Sequence, residues 1–144
     1  MNQSIESLFE RVDQIGVVVR NVDACIREYE KILGKDAFVT IEGEEPAVLG
    51  DGREIMIQGK LAFAQLGPTQ LELIEIKGGP SIHVDFLEKH GEGIHHIGVY
   101  VPDFDDRLEK YRQMGINVLQ QGKGIRRYAY LDTKPIMLEL IEAD

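Results

Sequence analysis

Two stretches of this chain match at an offset of 82 residues: VDQIGVVVRNVDACIREYEKILG, from residue 12, and IHHIGVYVPDFDDRLEKYRQMG, from residue 94. Ile15 meets Ile97, Gly16 meets Gly98, Val17 meets Val99, Val19 meets Val101, Asp23 meets Asp105 and Tyr29 meets Tyr111. A second pair of copies, LELIE, stands at Leu71–Glu75 and Leu138–Glu142, preceded by FAQLGPTQ and YAYLDTKPIM. Repetition on this scale restricts the fold to something built twice. Each copy opens with an alternating apolar strand and a polar turn. An amphipathic helix follows and stops at glycine, Gly34 or Gly115. Each copy closes with a strand that carries glutamate.

The reading per copy is βαβββ, which makes the fold class α+β. The first copy has a helix over 22–33 and strands near 11–19, 37–42, 60–66 and 69–76; the second has a helix over 104–114 and strands near 93–101, 116–120, 126–132 and 136–142. Gln14 and Glu72 lie 58 residues apart, His96 and Glu139 only 43, so the first copy carries 15 extra residues. TIEGEEPAVLGDGREIMIQGK, rich in glycine and charge, is the place for them, as a long loop or hairpin. The expected organisation is one domain over residues 1–144, with modules at 10–76 and 93–142 and a linker at 77–92. The linker reads as a short helix with Ser81 as N-cap and Gly91 as stop.

Side chains alternate faces along a strand. Ile15, Val17 and Val19 share one face, as do Ile97, Val99 and Val101; in the closing strands Leu71 and Leu73 oppose Glu72, and Leu138 and Leu140 oppose Glu139. The apolar faces have the helices to pack on. The opposite faces then carry Gln14, Glu72, His96 and Glu139, one from each of four strands. If each module curves around its helix, these faces converge on one cleft. One amide oxygen, one imidazole and two carboxylates suit a divalent cation such as Zn, Ni, Co or Mn. The competing explanation for glutamate in such a strand is a solvated sheet face.

Composition narrows the partners. At 43% apolar residues the chain has material for a core. A net charge of -9 argues against nonspecific binding to nucleic acid or anionic membranes. Lys123, Arg126 and Arg127 form the one tight basic cluster, too small for a nucleic-acid patch. The single cysteine, Cys25, permits no intrachain disulfide and fits a reducing compartment. MNQSIESLFERVDQ has neither the basic nor the apolar region of a secretion signal, and no apolar run approaches the ~20 residues of a membrane span. The expectation is a soluble cytoplasmic protein.

The stretch GIHHIGVYVPDFD resembles the most familiar segment of the vicinal oxygen chelate superfamily, which includes glyoxalase I, methylmalonyl-CoA epimerase and the extradiol dioxygenases. SIHVDFLEKHGEGIHHIGVYV and KLAFAQLGPTQLELIE are most similar to the methylmalonyl-CoA epimerase-like branch, and the resemblance spans residues 10–142. It implies paired βαβββ modules in a curved mixed sheet around a cleft. It also implies metal ligands at Gln14, Glu72, His96 and Glu139, and a homodimer. The implied chemistry is isomerisation or epimerisation of a small carbonyl compound or acyl-CoA thioester. The metal stabilises an enolate, and Glu139 first, Glu72 second, is the candidate proton acceptor.

Two departures keep other readings open. The epimerase branch has DHIG where this chain has DQIG, and the Gln/Glu/His/Glu set is similar to that of zinc-type glyoxalase I. A lactoylglutathione lyase is therefore the alternative enzyme. A metal-free small-molecule binding protein of the bleomycin-resistance type is the alternative outside catalysis. An extradiol dioxygenase would want two histidines and one carboxylate. The branch's PEQGV-type segment, near which some members place a second catalytic glutamate, has no clean match; Glu44, Glu45 and Glu54 are the candidates for it.

The remaining residues read more plainly. Tyr128, Tyr130 and Arg126 share a strand face and are candidate substrate contacts. His95 points away from His96 if the strand is regular, which makes it a packing residue. His83 and His90 read as solvated, with His90 also placed to cap its helix or touch substrate. Cys25 has core spacing with Val22 and Ile26, and Gly122–Gly124 is a turn.

Overall fold

In a computed structural model that describes residues 7–144, the chain forms eight strands and three helices among the described residues. The first six residues of the expected domain lie outside them. The order is β1 (Gln14–Val18), α1 (Val22–Leu33), β2 (Val39–Leu49), β3 (Glu54–Leu66), β4 (Thr69–Gly78), α2 (Ile82–His90), β5 (Gly93–Val101), α3 (Phe104–Gln113), β6 (Val118–Lys123), β7 (Arg127–Leu131) and β8 (Met137–Glu142).

The strands close into one barrel in the order β1-β4-β3-β2-β6-β7-β8-β5. Each half thus runs first, fourth, third, second. β1 lies parallel to β4, and β5 parallel to β8. Two antiparallel joints close the ring. One pairs β1 with β5; the other pairs only Ala47, Val48 and Leu49 of β2 with Gly122, Gln121 and Gln120 of β6. The expected cleft between curved sheets is therefore the interior of a closed mixed sheet. Its closure depends on β2 and β3 being much longer than the pattern suggested. The glycine-rich stretch 40–60 is an ordered hairpin, with Val39 opposite Phe63 and Val48 opposite Glu54.

The helices start and stop on chemistry visible in the sequence. Asn21 caps α1 by accepting from the Ala24 amide at 2.9 Å, and Ser81 caps α2 by accepting from Val84 at 3.1 Å. Gly34 and Gly91 end these helices at φ of 98° and 77°, a region that costs a side-chain-bearing residue strain. Outside the barrel two apolar clusters form. Val99, Val101, Ala129, Leu131 and Leu140 pack against Phe104, Leu108 and Tyr111 of α3. Val19, Ala62 and Leu73 pack against Val22 of α1, with Cys25 and Ile26 partly buried at the margin. No helix among the described residues is long and apolar enough to cross a membrane.

Candidate metal centre

The repeated Ile-Gly step sets the geometry of the interior. In the β1–β5 joint, Gly16 stands opposite His96 and Gln14 opposite Gly98. On their other sides, Gly16 pairs with Glu72 and Gly98 with Glu139. Each glycine is thus flanked by two polar side chains on neighbouring strands, and lacks the Cβ that would hold them apart. A Cβ on Gly16 would lie within the ring of His96, and one on Gly98 would approach Glu139 Oε1 at 3.3 Å and Gln14 Cβ at 3.6 Å. Glycine in a strand interior weakens it, and close approach of neighbouring groups is a reason to keep it.

Gln14, Glu72, His96 and Glu139 are 4%, 8%, 0% and 5% exposed. Nε2 of His96 lies 3.1 Å from Glu139 Oε1 and 3.5 Å from Glu72 Oε1. These three atoms are buried, yet none makes a well-formed hydrogen bond. Buried polar atoms are normally satisfied; these three meet in ion-pair geometry, His96 against both carboxylates, and the same convergence fits a shared cation. One ligand atom from each of the three residues lies within 4.8 Å of the others. The Gln14 amide nitrogen donates to Gln70 Oε1 at 2.9 Å, which leaves its Oε1 as the acceptor end. The donor set of carboxylate, imidazole and amide oxygen suits a borderline divalent ion.

Protonation follows from burial and mutual charge. Burial disfavours the His96 imidazolium, but the carboxylates of Glu139 and Glu72 outweigh it and hold its pKa up at about 9. Burial raises the pKa of Glu72, against the lowering effect of His96. The opposite holds for the two neighbouring imidazoles. Burial, with the charge of His96, takes His95 down to about 3, and burial, with His95 and His96, takes His83 well below the ordinary histidine value.

The surroundings correct two sequence readings. His95 does not point away from His96. Gly16 pairs with His96 but Val17 with Ile94, so His95 is the extra residue of a β-bulge. A bulge breaks the strict alternation and re-aims side chains. Nδ1 of His95 lies 2.9 Å from Nδ1 of His96. Nor is His83 solvated. It is 5% exposed, and its Nε2 lies 3.1 Å from the Tyr130 hydroxyl. His90 is exposed, with its ring 5.0 Å from that of Phe86.

Of the candidate substrate contacts, Tyr130 stands opposite Glu139 with its ring 4.9 Å from that of His96. Burial, then Glu139 and Glu72, push its hydroxyl pKa up. Tyr128 is next along, its ring 5.4 Å from Tyr130, and its hydroxyl accepts from Gln120 at 3.4 Å. Arg126 is held elsewhere, by a two-pronged contact to Asp144 at 2.8 and 2.9 Å, with its guanidinium 5.3 Å from the Tyr100 ring centre.

Among the three candidate extra glutamates, Glu45 alone is half-buried; Glu44 and Glu54 are exposed. Burial raises the pKa of Glu45, a bond to Tyr128 opposes it and Glu139 adds to it, so the three groups share one region. Gln70 is the polar neighbour that sequence reasoning missed. Its position two residues before Glu72, on the same strand face, was a usable signal. Two surface grooves, of about 620 and 280 Å³, lie beside β2 and β6 and include none of the four donors.

Comparison with known proteins bears on the family and the fold. The model of the Glyoxalase/Bleomycin resistance protein/Dioxygenase superfamily matches residues 13–134. The uncharacterized protein YqjC of Bacillus subtilis is 29% identical over 140 residues, covering 92% of this chain and 91% of that one. Methylmalonyl-CoA epimerase from Mycobacterium tuberculosis superposes with a TM-score of 0.69 at 23% identity, covering 99% of this chain and 93% of its own. A variant of the Streptomyces coelicolor methylmalonyl-CoA epimerase, in complex with 2-nitronate-propionyl-CoA, gives 0.70 at 24%, covering 94% and 98%. At these identities the structural likeness is one of fold.

Proposed function

This chain belongs to the glyoxalase/bleomycin resistance protein/dioxygenase superfamily, and from that premise we propose that it is a divalent-metal-dependent isomerase or epimerase. The substrate class is a small carbonyl compound or acyl-CoA thioester. The observation that carries the proposal is the convergence of three buried potential ligand atoms, on Glu72, His96 and Glu139, within 4.8 Å of one another. Gln14, Glu72, His96 and Glu139 would hold the ion. When bound, a Zn, Ni, Co or Mn ion supplies Lewis acidity toward a carbonyl or thioester oxygen, which lowers the cost of removing the neighbouring proton.

The chain's own groups do the rest. Glu139 accepts and returns the proton, as one oxygen can serve the ion while the other stays free for transfer. Glu72 is the alternative acceptor. Glu45, raised by burial and placed near Glu139, is the candidate for proton delivery on the other face, as epimerisation requires. Tyr128 and Tyr130 are the apolar walls with hydroxyl tips, while Arg126 would have to leave Asp144 to contact a substrate. We also expect the protein to act as a homodimer in the cytoplasm.

Gln14 favours a second reading, a lactoylglutathione-lyase-like enzyme, through the donor set that it completes. A metal-free binding protein is the third. Elemental analysis before and after chelation tests the first premise, with one divalent ion per chain expected and none in His96→Ala. Proton exchange in deuterated water with methylmalonyl-CoA and with glutathione hemithioacetal then separates the two enzymes. Ligand affinity indifferent to chelator, with no bound metal, would leave only the binding reading.

A further inference from the structure

We infer that His95 is a positioning residue for His96: when a metal ion takes the place of the proton on Nε2, His95 accepts from Nδ1 and keeps Nε2 turned toward Glu72 and Glu139. The inference rests on the metal reading above. Two ring nitrogens 2.9 Å apart share one proton: one donates, the other accepts. If His95 Nδ1 held the proton, neutral His96 would carry its own on Nε2, which would then be closed to a metal. With the proton on His96 Nδ1, His95 Nδ1 accepts and Nε2 is open. Metal-ligating histidines generally fix their tautomer through a partner at the other nitrogen.

The placement of His95 supports the role. The β-bulge brings it to the side of His96, and its ring is boxed by Phe86 at 5.1 Å, His83 at 4.7 Å and Tyr130 at 5.6 Å. It has few other orientations. The first half has no such device. Asp13, the repeat counterpart of His95, instead accepts from the Tyr100 amide at 2.8 Å and from Arg11. An imidazole also differs from a carboxylate in charge. Glu72 and Glu139 already balance a divalent ion, and a third anion would be buried in excess.

The test is zinc affinity, by competition with a coloured chelator, in the native chain and in His95→Asn, His95→Leu and His96→Ala. His95→Leu should weaken zinc binding by roughly 10–100-fold. His95→Asn, whose amide oxygen stands near the lost nitrogen and can accept from His96, should stay within about threefold. Equal affinity in native and His95→Leu, with His96→Ala unable to bind, would overturn the role of His95 alone. A folded native chain that takes no zinc would overturn the metal reading and this role with it. Nitrogen-15 NMR of the native rings with zinc bound, where Nε2 of His96 would hold the ion in place of a proton, needs no variant to fold. A proton on Nδ1 of His96 and none on Nδ1 of His95 is expected; the reverse overturns the proposal.

Discussion

The two halves of the barrel share a strand order and differ in how they are held. α3 buries Phe104, Arg107, Leu108 and Tyr111, whereas α1 buries only Val22 and leaves Ile32 81% exposed. The reason is a strap. Leu8 and Phe9 pack on the α3 cluster, the Tyr111 hydroxyl donates to the Leu8 carbonyl at 2.8 Å, and Arg107 reaches Glu10 at 2.6 Å. The first half has instead the long β2–β3 hairpin, which brings Glu45 inward. Duplication has kept the frame, two glycines each between two donors, and changed what surrounds it. One half is a tight support that carries His96; the other is a longer wall that carries Gln14.

The comparison breaks most sharply at the two equivalent glutamates. Glu139→Gln should lower solvent-proton exchange by about 10³-fold with metal largely retained, in the range of general-base removal. Glu72→Gln should lose activity mainly through weaker metal binding, and excess zinc should restore much of it. Equal, unrescued losses would show that the halves are not specialised.

The glycines come next. Gly16→Ala forces a Cβ into the His96 ring and should cost about 3 kcal/mol, measured by urea unfolding of the chelated protein, with loss of metal binding. Gly98→Ala meets its nearest atoms at 3.0 Å or more and should cost about 1 kcal/mol. The reverse order would mean that the second half is the tighter one at the centre.

A pH profile of stability in the chelated protein separates the imidazoles. His96, raised to about 9 in the folded chain, contributes stability that is fully present below pH ~6.5 and lost as pH rises toward 9. His95, lowered to about 3, works oppositely. The unfolded chain binds its proton first, so stability falls as pH drops from ~6.5 toward 3. A maximum between these limbs is expected, the alkaline limb about 3 kcal/mol and the acid limb about 5 kcal/mol at most. His96→Ala should remove the alkaline limb and zinc should flatten it; a profile unchanged by both would refute the assignment.

The smallest contrast lies at the helix starts. Asn21→Ala removes a real cap from α1 and should cost ~1 kcal/mol. Asp103→Ala removes no cap bond from α3, only a half-exposed pair to Arg107 at 3.2 Å, and should cost less, ~0.5 kcal/mol. Thermal melting resolves the two.

Much of this was legible in the residues because it depends on local period. The repeat, the helix stops at Gly34 and Gly91 and the alternation that puts Glu72 and Glu139 opposite leucines need only near neighbours. What escaped depends on pairing between distant segments. The bulge at His95 exists only as a mismatch with β1, and no property of HH announces it. His83 looks solvated on its own helix and is buried only because α2 docks against β1, β4 and β5. Closure through Ala47–Leu49 and Gln120–Gly122 is likewise a meeting of strands far apart in sequence.

That closure makes the ring a bracelet with unequal fastenings. The clasp at β2–β6 holds by three facing residues on each side, while the hinge at β1–β5 holds by five and has the candidate ion at its pin. With fewer facing residues, the clasp is the weaker of these two joints. Opening at the clasp would expose the interior from the side of Glu45 and leave the β1–β5 pairing of Gln14 and His96 in place, so that unloading the ring and dismantling the site would be separate events.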